Sequence, residues 1–238
     1  MIYVVGLGPG DHMCRTAAAT GAIRRADALV GYAAYVDLVR GEFPEKPVFE
    51  NGMMGEVARC QEAIKLSREG KTVAVVCSGD ASVYGMASLI LELSDETDEV
   101  EIMPGVTAAL AASALLGAPL SGDLAIVSLS DLLTPWAVIE KRLDAAGLGD
   151  FPVALYNPAS RSRSDHLQRA VDILLRHRPG DTPCGWVRNI ARDGQERKIL
   201  TLAELRNERV DMFTTVVVGN SQTIRKHDRL ITPRGYRK

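Results

Sequence analysis

A chain of 238 residues is long for one small domain and suits two compact α/β lobes. Lys and Arg number 28 against 30 Asp and Glu, and aromatic residues make up only 5%, which argues against nucleic-acid and anionic-membrane surfaces. Cys14, Cys60, Cys77 and Cys184 form no metal-ligand spacing, and no apolar run approaches the roughly 18 residues of a membrane span, so a soluble, cytoplasmic, metal-free protein is expected.

The start, MIYVVGLGPG, reads as a strand without a leader peptide. In the first half the strand candidates are Ile2–Val5, Ala28–Val30, Thr72–Cys77 and Val100–Met103, with helices near 16–26, 55–69, 83–94 and 106–116. That alternation predicts a parallel sheet. The helix over 55–69 places Val57, Cys60, Ile64 and Ser67 on one stripe and ends at Gly70, which supplies a left-handed cap.

Three of these strands run into glycine-rich loops. Gly6-Leu7-Gly8-Pro9-Gly10-Asp11 lets the backbone turn sharply and approach a ligand. A dinucleotide fingerprint is disfavoured there, because Asp11 stands where a small residue is needed, Pro9 stiffens the phosphate turn and no ribose-binding acid follows Val30. Ser78-Gly79-Asp80-Ala81-Ser82 offers backbone N–H groups, a carboxylate and a hydroxyl; Asp80 could move a proton, fix the loop or, like Ser82, cap a helix. Pro104-Gly105-Val106-Thr107-Ala108 leaves room for a ligand or for close helix packing.

After the break at Gly117-Ala118-Pro119 a second set follows, with strands near 124–128, 152–156, 183–188, 196–200 and 214–218 and helices near 135–146 and 163–177. Leu167, Ala170, Val171, Leu174 and Leu175 form the clearest amphipathic stripe in the chain. The expected domains are 1–119 and 120–238, with a ligand in the cleft between the lobes.

The motifs VGLGPGD (5–11), VGYAAY (30–35), GMxxEVxRCQEAI (52–64), SGDASVYGMA (78–87), LLGAPLSGD (115–123), SLSDLLTPWAVIEKRL (128–143), LYNPASRSR (155–163), VVGNSQT (217–223) and TPRGY (232–236) are together specific. The chain resembles the tetrapyrrole methylases, and within them the enzymes that methylate C-17 of a corrin precursor and contract the ring. GMMGEVARCQ and YGMA lean toward the branch whose substrate already carries cobalt. Ser82, usually glycine, and Leu124, usually phenylalanine, depart from the family pattern.

The resemblance implies a two-lobed α/β fold, mainly parallel or mixed sheets, a homodimer and S-adenosylmethionine as cofactor. It assigns cofactor contacts to Gly79, Asp80, Ser82, Val83, Tyr84, Thr107, Ala108, Leu129, Tyr156, Asn157, Trp186, Val187, Thr232 and Pro233. The tetrapyrrole is expected at Gly8, Pro9 and Gly10, with Arg161, Arg163, Arg188 and Arg192 as candidate partners of its carboxylates. Asp80, Asp11 and His12 are the candidate proton carriers for ring contraction, His12 being otherwise a solvated loop residue. Methyl transfer from a sulfonium to an electron-rich carbon needs alignment and exclusion of water rather than a protein nucleophile. The rival readings are a methylase of protein or RNA, a nicotinamide oxidoreductase, and a tetrapyrrole carrier without catalysis.

Overall fold

The computed structural model describes residues 1–52, 54–160 and 163–236 and divides into two compact units, Met1–Ala108 and Ala109–Lys238. The first holds strands β1 (Ile2–Gly6), β2 (Ala28–Tyr32), β3 (Val48–Asn51), β4 (Val73–Cys77) and β5 (Val100–Met103) in the order β3-β2-β4-β1-β5. Every neighbouring pair is parallel. Helices α1 (Ala17–Arg25), α2 (Ala33–Arg40), α3 (Glu56–Arg68) and α4 (Ala87–Leu93) cover it.

Strand alternation divides this core into two layers. Tyr3, Val5, Leu29 and Val76 pack with Ile23 of α1 and Val36 of α2. Ile2, Val4, Val30 and Val75 pack with Cys60 and Ile64 of α3 and Ile90 of α4. Burial on both faces is why IYVV and VAVV read as continuous apolar runs rather than alternating ones.

The stripe expected on α3 is turned from its sequence reading. The buried residues are Arg59, Cys60, Ala63 and Ile64, whereas Val57 is 49% exposed and the Ser67 hydroxyl accepts from the N-terminal amine at 2.8 Å. Arg59 turns it: its guanidinium donates to Asn51 Oδ1 and, at 3.0 Å, to the Gly52 carbonyl, and lies 3.2 Å from Glu56 Oε1. The end of α3 is as expected. Gly70 has φ +90°, its N–H donates to Ser67 and that of Lys71 to Leu66, closing a Schellman cap.

The second unit contains α5 (Ala108–Leu116, whose first residue closes the first unit), β6 (Gly117–Ala118), β7 (Ala125–Ser128), α6 (Trp136–Leu148), β8 (Val153–Tyr156), α7 (His166–Leu174) and β9 (Pro183–Arg188). Then follow β10 (Glu196–Thr201), α8 (Leu202–Leu205), β11 (Thr214–Val218), β12 (Ile224–Lys226) and β13 (Arg229–Ile231). The Gly117–Pro119 break lies inside this unit, because Leu116 of α5 packs over Gly185 of β9. Its main sheet, β10-β9-β11-β8-β7, is mixed: β7 and β8 run parallel and the other pairs antiparallel. A smaller sheet joins β12, β13 and β6.

One core lies between the main sheet and α6 and α7, built from Ile139, Leu143, Leu155, Leu167, Val171, Leu174 and Val216. Arg178 is buried beside it and donates to the carbonyls of Ala146 at 3.2 Å, Phe151 and Gly219. Burial pulls its pKa down from the usual arginine value; the three carbonyls accept from its Nη atoms, while its Nε has no hydrogen-bond partner among the described residues. Among the described residues, no helix is long and apolar enough to cross a membrane.

Candidate active site

Because β4, β1 and β5 are adjacent and parallel, the three glycine-rich loops leave the sheet side by side at its carboxyl edge. Backbone pairing continues past the strand ends. Leu7 N–H donates to Cys77 O at 2.8 Å, and Gly8 and Gly79 exchange two hydrogen bonds of 3.0 and 2.7 Å. Side chains are excluded from this floor: a Cβ on Gly105 would lie 2.1 Å from the Gly79 carbonyl oxygen, and one on Gly6 would lie 2.8 Å from that same atom. Gly8 and Gly79 also have φ of +75° and +69°, which glycine adopts without strain.

Asp80 belts the loops together. Its Oδ1 accepts from Ser82 Oγ at 2.5 Å, Ser82 N at 2.9 Å and Val83 N at 3.2 Å, while Oδ2 accepts from Gly105 N at 2.9 Å. Partial burial pushes the carboxyl upward in pKa. The Ser82 hydroxyl, then the N–H groups of Gly105, Ser82 and Val83, outweigh it and hold the group below the usual carboxylate range. A carboxylate so committed is a weak base and a firm brace. The Ser82 hydroxyl adds one donor to that brace.

Neither Asp80 nor Ser82 caps α4, which begins at Ala87 with no side-chain cap, later than the expected start near 83. The segment before it is a tight turn in which a Cβ on Gly85 would meet the Ala81 carbonyl at 2.3 Å, and Tyr84 stands exposed at φ +54°. Left-handed backbone at a bulky residue is costly and concentrates at functional sites. Thr107 is buried beside Ala108, and a side chain at Gly79 would reach both at 3.8 Å, so the β4 and β5 loops frame a small-residue cradle.

In the first loop, Asp11 caps a short 3-10 turn, His12–Cys14, its Oδ1 accepting from Met13 N at 2.7 Å and lying 3.1 Å from His12 Nδ1. Both side chains are exposed.

In the second unit, β7 and β8 end together. Leu129 N–H donates to Tyr156 O at 2.8 Å, Asn157 Nδ2 donates to Ser128 Oγ at 3.0 Å, and the Tyr156 hydroxyl accepts from Ala109 N at 2.6 Å. Asn157 is left-handed, φ +52°. Trp186 and Val187 are neighbours in β9, so their side chains face opposite sides of the sheet. Trp186 packs against the helix-side core and its indole N–H donates to Glu208 at 3.0 Å. Thr232 is buried, donating to Pro119 O at 2.7 Å, with Thr223 Oγ1 also at 2.7 Å, and Pro233 follows it.

The four arginines differ. Arg188 Nε is paired with Asp211 Oδ2 at 2.8 Å. Arg163 Nε donates to Ser160 Oγ at 3.0 Å, while its Nη1 is buried with no hydrogen-bond partner among the described residues. The N–H of Arg192 donates to Asn189 O at 3.0 Å, and Arg161 lies outside the described residues. Sequence reasoning passed over His166, a buried residue whose Nδ1 lies 2.8 Å from the Leu129 carbonyl. A signal existed, since His166, Ala170 and Ile173 recur at i, i+4 and i+7 on the buried face of α7.

The chain and its fold have counterparts among known proteins. A model of the tetrapyrrole (corrin/porphyrin) methylases matches residues 1–206. A protein named probable cobalt-factor III C(17)-methyltransferase from Salmonella typhimurium is 46% identical over 99% of both chains. A cobalt-factor III methyltransferase of Priestia megaterium is 45% identical over the whole of this chain, which spans 45% of that protein. The solved methyltransferase CobJ is 35% identical and superposes with a TM-score of 0.89 over 98% of this chain and 99% of its own. A uroporphyrin-III C-methyltransferase from Thermus thermophilus, solved with S-adenosyl homocysteine, shares the fold at 21% identity and a TM-score of 0.69, over 92% of this chain and 91% of its own. With the family model covering most of the chain and relatives matching it end to end, the chain belongs to the tetrapyrrole methylase family.

Proposed function

We propose that this protein is an S-adenosylmethionine-dependent methyltransferase that methylates C-17 of a cobalt-bearing corrin precursor, cobalt-factor III, with contraction of the macrocycle toward cobalt-precorrin-4. The observation that carries the reading is the 46% identity, over 99% of both chains, to a relative named for that substrate. The residues suit such a cofactor: the cradle framed by Gly79, Thr107 and Ala108 accepts a group recognised through backbone rather than through large side chains. When bound, the sulfonium supplies an activated methyl group.

The chain's own residues supply order. Asp80, Ser82, Val83 and Tyr84 form one braced wall for the cofactor, while Leu129, Tyr156, Asn157, Val187, Trp186, Thr232 and Pro233 carry the contacts assigned in the second unit. For Trp186, whose indole is tied to Glu208, that contact is through backbone. Asp80 acts as brace, leaving Asp11 and His12, exposed beside Gly8, Pro9 and Gly10, as proton carriers next to the tetrapyrrole. Arg163 is the favoured partner of a substrate carboxylate, because its buried Nη1 needs an acceptor. The enzyme works as a homodimer in the cytoplasm; four free cysteines fit a reducing compartment.

Calorimetry tests the cofactor, with heat expected from S-adenosyl homocysteine and none from NAD. Incubation with cobalt-loaded and metal-free substrate tests the reaction, and mass spectrometry with NMR of the product is expected to find one added methyl at C-17 of the cobalt-loaded ring. A product formed only from metal-free substrate would overturn the cobalt assignment, and NAD binding without S-adenosyl homocysteine binding would overturn the function.

A further inference from the structure

The segment from Ser128 to Trp136 carries the motif SLSDLLTPW, yet between its ends it has little core of its own: Leu132 and Leu133 are 69% and 98% exposed. A buried side chain of α7 helps to hold it. His166, the first residue of α7, is buried, and its Nδ1 lies 2.8 Å from the Leu129 carbonyl oxygen. A carbonyl only accepts, so Nδ1 carries a proton and donates it. Nε2 lies 3.6 Å from Asp131 Oδ2, and the ring packs against Trp136 with centroids 4.7 Å apart. Arg169, one turn along α7, stacks its guanidinium 3.9 Å from the centre of the same indole. His166 thus touches the start, middle and end of the segment.

We infer that His166 is a positioning residue for the cofactor site, fixing the Leu129 carbonyl and, with it, the paired ends of β7 and β8. The inference rests on the proposed function, in which Leu129, Tyr156 and Asn157 contact the methyl donor. Its physical basis is that Leu129 is bonded on both sides, its N–H to Tyr156 O and its carbonyl to His166, so neither strand end moves without breaking a buried bond. His166 itself reaches no reacting atom and moves no proton. Its effect is therefore expected in affinity for the cofactor and not in the rate at saturation.

Two amides separate the roles of the two ring nitrogens. In His166→Asn the side-chain N–H falls near the position of Nδ1, whereas in His166→Gln it reaches only toward Nε2. Calorimetry with S-adenosyl homocysteine, alongside thermal melting, is expected to give near wild-type affinity for the Asn variant and about ten-fold weaker binding for Gln and for His166→Phe, with kcat at saturating cofactor unchanged. Equal losses in Asn and Gln that track their melting temperatures, or no loss in Gln, would overturn the inference. Wild-type protein that binds no S-adenosyl homocysteine would overturn the proposed function, and this inference with it. A measurement on the unaltered protein stands beside the variants: the Nδ1 proton of His166 is expected to give a protected NMR signal that shifts as S-adenosyl homocysteine is added, and a signal that does not move would also overturn the inference.

Discussion

Asp80 was open to three roles in the sequence, as proton carrier, loop brace or helix cap, and the atoms around it separate them. A general base needs a pKa near the working pH; here Oδ1 accepts three hydrogen bonds and Oδ2 one, and together they hold the group below the ordinary carboxylate range. Asp80→Asn keeps one acceptor but turns an N–H toward the N–H of Gly105. The variant is therefore expected to bind S-adenosyl homocysteine more weakly, by about 1–2 kcal/mol, with little change in single-turnover rate at saturating cofactor. A carboxyl whose folded pKa lies below its unfolded one contributes fully above the unfolded value of about 4 and loses that contribution as pH falls through the depressed value. The contribution of Asp80 to wild-type stability is accordingly expected to be flat from neutral pH to about 5 and to fall below about 4, a limb that the Asn variant lacks in thermal melting. A rate loss of 10²-fold or more at saturation, with normal binding, would restore the base role.

At the scale of elements, the floor of the site is backbone packed on backbone, so its fragility is predictable. Gly105→Ala would push a methyl into the Gly79 and Gly6 carbonyls and is expected to cost about 2–3 kcal/mol, read as a lowered melting temperature. Gly41→Ala, at φ −68° with nothing within 4 Å of the added carbon, is expected to be neutral or slightly stabilising. Equal melting of the two variants would show that the loops are not packed as described. The three loops were legible because glycine clusters directly after β-branched runs have few other uses. Strands β1, β2, β4 and β5 were legible for the same apolar reason. The segment that folds as α2 and β3 was not, since α2 is short, Pro44 and Pro47 break the pattern and β3 is an edge strand whose Phe49 and Glu50 are exposed. Likewise β6 is two residues long and exists only through pairing with β13, a contact more than a hundred residues away. The pairing of Arg188 with Asp211 likewise left no sign in the sequence.

At the scale of the whole molecule, near-neutral charge and ordinary apolar content set the class, while the placement of thiols adds a test of compactness. Cys60, Cys77 and Cys184 are buried, and burial pushes their pKa values up to about 11, 11 and 12. Thiolates are the reactive form, so these three are expected to resist iodoacetamide at pH 8 in the folded protein. Mass spectrometry is expected to find a single adduct, on Cys14, before denaturation and four after it; early adducts on Cys77 would indicate that the first unit opens under native conditions. The glycine floor also has a meaning for engineering. A surface made of peptide groups holds its shape without side-chain information, so a library aimed at new macrocycles should leave positions 6, 79 and 105 untouched. Diversity belongs instead at the solvent-facing tips, Met13, Met54 and Leu133, whose side chains are largely exposed.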